Sequence, residues 1–502
     1  MAETYVIGVD GGTEGLRAGV FDLQGKPLAF AATAYSTQFP EPSWAEQDPN
    51  DWWRALGSSV RKAVAEAGVR PDQVSGMAVD TTCCSVVALD ENGDPVRPAL
   101  IWMDVRSAPQ TQKVLATADA ALRVNSNGQG PVSAEWMVPK ALWIQENEPE
   151  LFDRAATICE YQDYMNFHLT GRMVASINNV SARWHYDSTR GGYQRSLLEA
   201  LGLEALLEKW PQEVLPLGEP VGGLTARAAE HLGLPLGLPV MQAGADAFVG
   251  MVGLGVVRPG SLAFITGSSH LHLGLSEKPF NGFGIWGTYP DSLLPGLHTV
   301  EGGQTSTGSV VNWLKKLMGE GVTYDHLNAE ARQLPPGSEG VVVQEHFQGN
   351  RTPHTDPLSR GAITGLTLKH GPAHLFRAAM EGVAFGSELI LETMRRNGFQ
   401  PERVVVAGGA TRSDLWLQVH ADVSNLPFTL TEVADAPSLG CAILAAVGAG
   451  HYPDIPTAAD AMVQVTRVVE PNAQTHEAYR PFYETYCKLY GPLREARSAL
   501  EP

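Results

Sequence analysis

Three glycine-bearing turns in this sequence carry the residue types that bind phosphate. They lie in the stretches YVIGVDGGTEGLR (5–17), SLAFITGSSHLHLGL (261–275) and RVVVAGGATRSDLWLQVHADV (403–423). Glycine lets the backbone approach a ligand closely, and the neighbouring threonine or serine adds a hydroxyl group, so such turns can hold phosphate oxygens. One turn of this kind is weak evidence, whereas three of them favour a nucleotide-binding site.

The residues around the first turn predict a β-hairpin. After Gly12 the chain reads as a strand (16–22), a turn LQGKP (23–27) and a second strand (28–35). A dinucleotide-binding fingerprint would open a helix directly after its glycines, and its three-glycine spacing is absent here. The sequence therefore does not favour a Rossmann fold.

The same construction recurs along the chain. SLAFITGSSHLHLGL predicts a second hairpin, and VSGMAVDTTCCSVVALDENGDPV (74–96) predicts a third, with NGDP as its turn. The Gly-Gly turn at 408–409 leads from a buried strand into an amphipathic helix. Helices are also predicted over 50–68, 373–398 and 437–450, which gives α/β domains with helix-covered sheets.

Two similar halves are expected to face one another, because the two phosphate-type hairpins lie in different halves of the chain. The Pro/Gly-rich segment GLPLGLPV (233–240) separates them. We therefore predict an N-terminal domain over residues 1–245 and a C-terminal domain over residues 246–502, since a chain of 502 residues exceeds what one core comfortably fills.

Composition restricts the classes of partner. The 36 basic and 55 acidic residues give a net charge of −19, and no basic run argues for nucleic acid or an anionic membrane. No apolar run reaches the ~20 residues of a membrane helix, and the early first strand leaves no room for a signal peptide. The five cysteines are odd in number and lack metal-site spacing. We expect a reduced protein of the cytoplasm.

Longer motifs resemble the FGGY carbohydrate kinases of the actin-like ATPase superfamily. The most specific stretch is GAITGLTLKHGPAHLFRAAME (361–381), which satisfies each constrained position of the family's C-terminal signature. Supporting stretches follow in family order: WMDVRS (102–107), PKALW (139–143), YMNFHLTG (164–171), GADAFVG (244–250), TGSVVNWL (307–314) and GGATRSDLWLQVHAD (408–422). The resemblance implies two actin-like (ribonuclease H-like) α/β domains with a catalytic cleft between them. It also implies transfer of the γ-phosphate of ATP to a sugar hydroxyl with Mg²⁺, and a homodimer as one alternative to a monomer.

Two aspartates take catalytic roles by this resemblance. Asp246 in GADAFVG resembles the general base that accepts a proton from the attacking sugar hydroxyl, and it also borders the metal site. Asp10 resembles the carboxylate that faces the Mg²⁺–phosphate group. The alternatives are a helix cap for Asp246 and a turn residue bonded to its own backbone for Asp10.

The nucleotide contacts implied by the resemblance lie on the glycine-bearing turns and on one helix start. For each of these residues, close packing, a cap or a solvated position is the structural alternative. The residues are Gly12, Thr13, Arg17, Gly267, Ser268, Gly308, Asn312, Gly409, Ala410 and Ser413.

The sugar-facing motifs VDTTCCSVV, SAEWMVPK and EGGQTSTG are closest to the ribulose-kinase branch of the family. The residues that this likeness places at the sugar, besides Asp246, are Thr82, Cys83, Cys84, Asp104, Glu135 and Glu301, with Arg183 in VSARWHYD as a basic candidate. We therefore predict phosphorylation of the terminal hydroxyl of a ketopentose, with ribulose preferred. Xylulose or a four- or five-carbon polyol is the alternative within the family, and an actin-like ATP-driven switch without a sugar substrate is the alternative outside it.

Overall fold

Two mixed β-sheets form the frame of the protein in a computed structural model that describes residues 3–125, 128, 130, 132–279, 282 and 284–499. The strands are β1 (Tyr5–Gly11), β2 (Gly15–Asp22), β3 (Pro27–Ala34), β4 (Glu46–Gln47), β5 (Val74–Thr81), β6 (Val86–Leu89), β7 (Ala99–Leu100), β8 (Thr157–Glu160), β9 (Val174–Ser176), β10 (Glu213–Leu215), β11 (Pro220–Gly223), β12 (Pro239–Met241), β13 (Ser261–Thr266), β14 (His270–Ser276), β15 (Gly287–Pro290), β16 (His298–Gln304), β17 (Val342–Gln344), β18 (Ala362–Thr364), β19 (Arg403–Gly408), β20 (Phe428–Thr431) and β21 (Val465–Val469).

The α-helices cover both faces of these sheets. They are α1 (Pro49–Ala67), α2 (Ala108–Ala116), α3 (Met137–Asn147), α4 (Pro149–Arg154), α5 (Tyr161–Thr170), α6 (Ile177–Arg183), α7 (Arg195–Leu201), α8 (Leu206–Lys209), α9 (Ala226–Leu232), α10 (Asp246–Gly253), α11 (Gly308–Leu317), α12 (Tyr324–Ala331), α13 (Pro372–Arg396), α14 (Asp414–Ser424), α15 (Ala436–Gly448), α16 (Ile455–Met462) and α17 (Ala473–Ser498). Helices α1, α13 and α15 confirm the three helices predicted over 50–68, 373–398 and 437–450. None of the helices in the described residues is long and apolar enough to cross a membrane.

The two main sheets have the same strand order and the same strand directions. The first sheet runs β3-β2-β1-β5-β12-β11, and the second runs β16-β14-β13-β19-β20-β21 with β15 added beyond β16. In each sheet the first three strands are antiparallel neighbours, the next two pairs are parallel, and the last pair is antiparallel. The expectation of two similar halves is therefore confirmed.

A layer of helices separates the two sheets. Val6 of β1 and Ala263 of β13 lie in one apolar cluster with residues of α10 and α15. The next residues along the strands face the opposite way, because side chains alternate across a strand: Ile7 packs with residues of α1, and Phe264 packs with residues of α13 and α14. Each sheet is thus covered on both faces, and α10 and α15 belong to the shared middle layer.

The hairpin predicted over 74–96 is confirmed at its NGDP turn, where the N–H of Asp90 donates to the carbonyl of Asp94 at 2.9 Å and Leu89 forms an antiparallel bridge with Pro95, but it is wrong for β5. β5 lies inside the first sheet between β1 and β12, whereas β6 belongs to a separate four-stranded sheet, β4-β7-β6-β8. Buried side chains hold the crossing between them, because Glu160 accepts from the N–H of Cys84 at 3.0 Å and Lys140 donates to the carbonyl of Cys84 at 2.7 Å. These bonds direct the chain out of the first sheet at Thr82–Ser85.

Candidate active site

Three aspartates lie together at the edge of the first sheet where its parallel strands end; Asp80 is fully buried, and Asp10 and Asp246 are half-buried. Asp10 and Asp80 are partners in the parallel register of β1 and β5. Thr81 pairs with Ala245 in a parallel bridge, and its N–H donates to the carbonyl of Gly244 at 3.2 Å. Asp246 follows at once as the first residue of α10. Ligands of open α/β sheets bind at the carboxyl ends of parallel strands, and this edge is such a place.

Burial raises the pKa of each of these carboxyl groups. It raises the pKa of Asp10 to about 7, with further contributions from the negative charges of Asp246 and Asp435. It raises the pKa of Asp246 to about 6, although the N–H of Ala247 and the charge of Arg183 act in the opposite direction. The pKa of Asp80 is raised well above its usual range by burial and by the charge of Asp10. When they ionise, these carboxyl groups therefore carry a negative charge that Arg17 and Arg183 balance only in part.

This charge suits a cation that is bound partly by a ligand. Mg²⁺ uses one or two carboxylates and completes its shell with water and substrate phosphates, so it needs no cage of protein ligands. The described residues contain no group of three or more His, Cys, Asp or Glu side chains arranged to hold a metal by themselves. Asp10 and Asp246 fit the sharing of such an ion with ATP.

The loop between β1 and β2 has an ordered turn beside these acids. The N–H of Gly12 donates to the carbonyl of Gly15 at 3.0 Å, and the indole N–H of Trp102 donates to the hydroxyl of Thr13 at 2.9 Å. Arg17 is directly opposite Asp10 in the register of β1 and β2, and its half-exposed guanidinium forms an ion pair with Asp435. Thr13 and Arg17 are thus next to Asp10, within the first phosphate-type turn.

The second phosphate-type turn borders an open pocket. Gly267 and Ser268 are exposed at the end of β13, and the N–H of Gly308 donates to the carbonyl of Gly267 at 3.1 Å. A side chain on Gly308 is excluded, because its Cβ would lie 2.4 Å from that same carbonyl oxygen. The pocket has a volume of about 380 Å³, and its lining residues are Gly267, Ser268, Gly308, Ser309, Asn312, Trp313 and Lys316.

The third turn contains two glycines, Gly408 and Gly409, that differ in the space available for a side chain. Gly408 has φ +92°, and a Cβ there would lie 1.9 Å from the carbonyl oxygen of Thr266, whereas a Cβ on Gly409 would meet nothing within 4 Å. Ala410 is buried and donates its N–H to the hydroxyl of Thr266 at 3.0 Å. Ser413 caps α14 by accepting from the N–H of Trp416. Among these residues, Gly409 is the one whose Cβ direction is open.

Arg183 connects the two halves on the other side of Asp246. Its guanidinium donates to both carboxylate oxygens of Glu301, at 3.0 and 3.1 Å, and the hydroxyl of Tyr289 donates to Glu301 at 2.7 Å. Burial tends to raise the pKa of Glu301, but the charge and hydrogen bonds of Arg183 outweigh it, so the pKa is lowered. Arg183 also interacts electrostatically with Asp246 and with Cys83. Arg183 therefore lies near both Glu301 and the loop that contains Cys83.

The other predicted sugar contacts have different surroundings. The N–H of Thr82 donates to the carbonyl of Gly11 at 2.9 Å, so the Thr82–Cys84 loop borders the first turn. Asp104 is fully buried, and its oxygens accept from Arg106 and from the N–H of Ala45. Glu135 is half-buried just before Trp136, whose ring lies 6.2 Å from that of Trp286 in the second half.

Several residues of the site were not identified from the sequence. They are Asp80, Asn178, Tyr289, Gly408 and Asp435. Asn178 on α6 holds the GADA segment, because its side chain accepts from the N–H of Ala245 at 3.0 Å. Asp80 had a signal, since it directly precedes the Thr-Thr-Cys-Cys motif at the end of a buried strand. Asp435 also had one, because an aspartate followed by a proline in the first turn of an apolar helix is typical of a helix N-cap.

Similarity to known proteins agrees with this geometry. Residues 5–253 match the N-terminal domain of the FGGY family of carbohydrate kinases, and residues 262–449 match its C-terminal domain. The chain is 32% identical to a ribulokinase of Shouchella clausii, over 97% of this chain and 94% of that protein. It is 30% identical to an FGGY carbohydrate kinase domain-containing protein of Xenopus laevis, over 99% and 98%. The crystal structure of a xylulose kinase from Rhodospirillum rubrum superposes with a TM-score of 0.89 at 28% identity, over 98% of this chain and 99% of that one. The chain therefore belongs to the FGGY family of carbohydrate kinases and is a sugar kinase.

Proposed function

We propose that this sugar kinase transfers the γ-phosphate of ATP to the terminal hydroxyl of a ketopentose and that ribulose is its preferred substrate. The similarity to a named ribulokinase along nearly the whole chain supports this, as do the ribulose-kinase-like motifs at Cys83, Glu135 and Glu301. The likeness to the Rhodospirillum rubrum enzyme makes xylulose the second candidate.

The position of Asp246 is the observation that carries the mechanism. Its carboxylate lies at the start of α10, at the same edge of the sheet as Asp10, which is one residue before the end of β1. With a pKa of about 6 it is ionised at neutral pH and basic enough to accept the proton of a sugar hydroxyl. Asp246 thereby activates the attacking oxygen, and the three phosphate-type turns hold and orient the ATP.

Charge at the phosphates is the second requirement of phosphoryl transfer. Asp10, with Asp246 bordering the same site, would hold Mg²⁺, and the ion, when bound, would supply positive charge to the phosphate oxygens. Arg17 contributes a guanidinium at the same turn. Arg17 forms an ion pair with Asp435, so a contact between Arg17 and a phosphate of ATP would replace or share that carboxylate. Closure of the halves would exclude water and limit hydrolysis of ATP.

Sugar recognition by Glu301 is proposed to act through Arg183. Both oxygens of Glu301 already accept hydrogen bonds from Arg183, and one also accepts from Tyr289. A guanidinium has five N–H donors, so Arg183 keeps donors for a sugar hydroxyl after binding Glu301. Glu301 cancels the charge of Arg183 and fixes its orientation, which suits an uncharged substrate.

Substitution of Asp246 tests the mechanism. Asp246→Asn keeps the shape of the side chain but cannot accept a proton, so kcat should fall by about 10²–10⁴-fold. ATP and ribulose should still bind, which calorimetry with a non-hydrolysable nucleotide would measure. Near-normal turnover by the variant would contradict the assignment of Asp246 as base. Loss of both binding events would indicate a folding defect, and the melting temperature checks this.

A further inference from the structure

Cys83 and Cys84 are a vicinal pair of thiols at the edge of the cleft. Both are free, and their sulfur atoms are 3.7 Å apart with the thiol of Cys84 donating to that of Cys83. Cys84 is buried and Cys83 is half-buried. The N–H of the preceding residue, Thr82, donates to the carbonyl of Gly11 at 2.9 Å, and Arg183 acts electrostatically on both thiols and on Asp246, so the pair lies on the side of the cleft assigned to the sugar.

The backbone at this pair is held in a conformation that does not favour a disulfide. Cys84 has φ +64°, its N–H donates to Glu160 at 3.0 Å, and its carbonyl accepts from Lys140 at 2.7 Å. A disulfide requires sulfurs about 2.0 Å apart and usually Cα atoms at least about 4.4 Å apart. Adjacent residues have Cα atoms only about 3.8 Å apart. A single atom bonded to both sulfurs tolerates a wider separation, so it fits the present backbone better than a direct sulfur–sulfur bond does.

We propose that Cys83 and Cys84 form a covalent capture site for trivalent arsenicals and that capture blocks the sugar end of the cleft. Trivalent arsenic is a soft centre and matches soft sulfur ligands. With a hydrated aryl arsenoxide, two arsenic–oxygen bonds break and two arsenic–sulfur bonds form. Each thiol gives up one proton, two water molecules leave, and arsenic remains trivalent, so no oxidant or reductant is needed.

The other three cysteines do not offer a second pair of neighbouring residues. Cys159 is buried on β8, and Cys487 is on α17. Cys441 is buried on α15 and donates its thiol proton to Asp80 at 3.2 Å. A single thiol binds the arsenical through one bond, which an excess of a competing monothiol reverses, whereas two thiols close a ring around the arsenic. Capture should therefore be selective for Cys83 and Cys84.

Intact-protein mass spectrometry tests the capture. The full-length protein is incubated with phenylarsine oxide in excess glutathione, and one adduct per chain is expected that 2,3-dimercaptopropanol removes. Cys83→Ser and Cys84→Ser should each reduce the adduct at least tenfold, while Cys487→Ser should retain the adduct and the basal activity. Melting temperatures verify that the variants fold. If one serine variant does not fold, the amount of adduct on the other variant decides the test. No adduct in the wild type, or a full adduct in either folded serine variant, would overturn the site.

The effect on catalysis rests on the proposed function and is measured separately. The enzyme that carries the arsenical should release ADP in the presence of ribulose at least tenfold more slowly than the untreated enzyme. Saturating ribulose should slow adduct formation. Full activity in an enzyme whose mass shows complete capture would overturn the claim that the pair borders the sugar. Absence of ribulose-dependent ADP release from the untreated enzyme would instead refute the proposed substrate and leave the mass result standing.

Discussion

Burial is the dominant influence on the acids of the cleft, and it predicts the pH dependence of the reaction. The pKa of Asp246 is raised to about 6, and the carboxylate form is the one that can act as base. The value of kcat/KM should therefore be level near pH 7 and fall about tenfold per pH unit below about 6. Steady-state rates between pH 5 and 8 at saturating ATP and Mg²⁺ measure this. Activity that rises as the pH falls through 6 would contradict a carboxylate base.

Truncation of Glu301 should weaken sugar binding, because it leaves the buried guanidinium of Arg183 without its carboxylate. Hydrogen bonds to charged groups contribute about 1.5–3 kcal/mol each, so Glu301→Ala should raise the KM for ribulose about tenfold or more. Titration of ribulose at saturating ATP measures the change.

The chain offers a matched control for Glu301. Glu381 is also buried, accepts from Arg377 at 2.8 Å and from the hydroxyl of Tyr479 at 3.1 Å, and lies on α13 outside the cleft. Removing one partner of a buried ion pair costs about 3–5 kcal/mol. Glu381→Ala should therefore lower the melting temperature without changing the KM for ribulose. An equal KM increase in both variants would assign the effect of Glu301→Ala to general destabilisation.

The residues of the cleft could be predicted from the sequence where a local motif surrounds them. Asp10, Asp246 and Gly308 are of this kind, because each lies in a short stretch of glycine and hydroxyl residues. The partnership of Arg183 with Glu301 could not be predicted, because its members are far apart in the chain and meet only when the halves pack. The hydrogen bonds of Asp104 to Arg106 and Ala45 could not be predicted either, because a buried structural acid and a sugar-binding acid look alike in sequence.

The turn after β19 allows a test at the scale of one structural element. Gly409→Val should raise the KM for ATP about tenfold or more, because its side chain would enter the open side of the turn. Calorimetry with ribulose alone should show nearly unchanged sugar binding, and the melting temperature should be retained. Equal losses of affinity for ATP and ribulose would contradict the assignment of this turn to the nucleotide.

Gly408 is the matched control for Gly409. Alanine at position 408 would strain a backbone with φ +92° and would clash with the carbonyl of Thr266. A residue forced into a sparsely populated conformation costs about 1–3 kcal/mol, so Gly408→Ala should lower the melting temperature. A variant as stable as the wild type would contradict the structural role of Gly408.

Local sequence pattern predicted most of the helices and strands around the site. The exception is the stretch around Cys83, whose structure is set by tertiary contacts. The hairpins β1–β2 and β13–β14 and the long helices follow from turn residues and apolar periodicity. The stretch around Cys83 has the same local pattern as a hairpin, but Glu160 and Lys140 hold its backbone and β6 pairs with β7 and β8 instead. Such partners are distant in sequence, so no local pattern reveals them.

For the whole molecule, the repeated topology explains why the chemistry lies between the halves. The equivalent strands β1 and β13 end at Gly11, next to Asp10, and at Thr266, and α10 and α15 join the two sheets in one apolar cluster. Membership in a carbohydrate kinase family excludes the alternative of an ATP-driven switch without a sugar substrate. Under the proposed function, the choice among pentuloses and polyols would depend on the side chains around Arg183.

The identity of the sugar is tested most directly by ADP release with a substrate panel. The panel contains both enantiomers of ribulose and xylulose, with ribitol and erythritol, at saturating ATP and Mg²⁺. We predict one ADP per sugar phosphate formed, no comparable ADP release without sugar, and the highest kcat/KM for a ribulose enantiomer. A kcat/KM at least tenfold higher for a xylulose or a polyol than for either ribulose, or ADP release that does not depend on sugar, would contradict the proposed function.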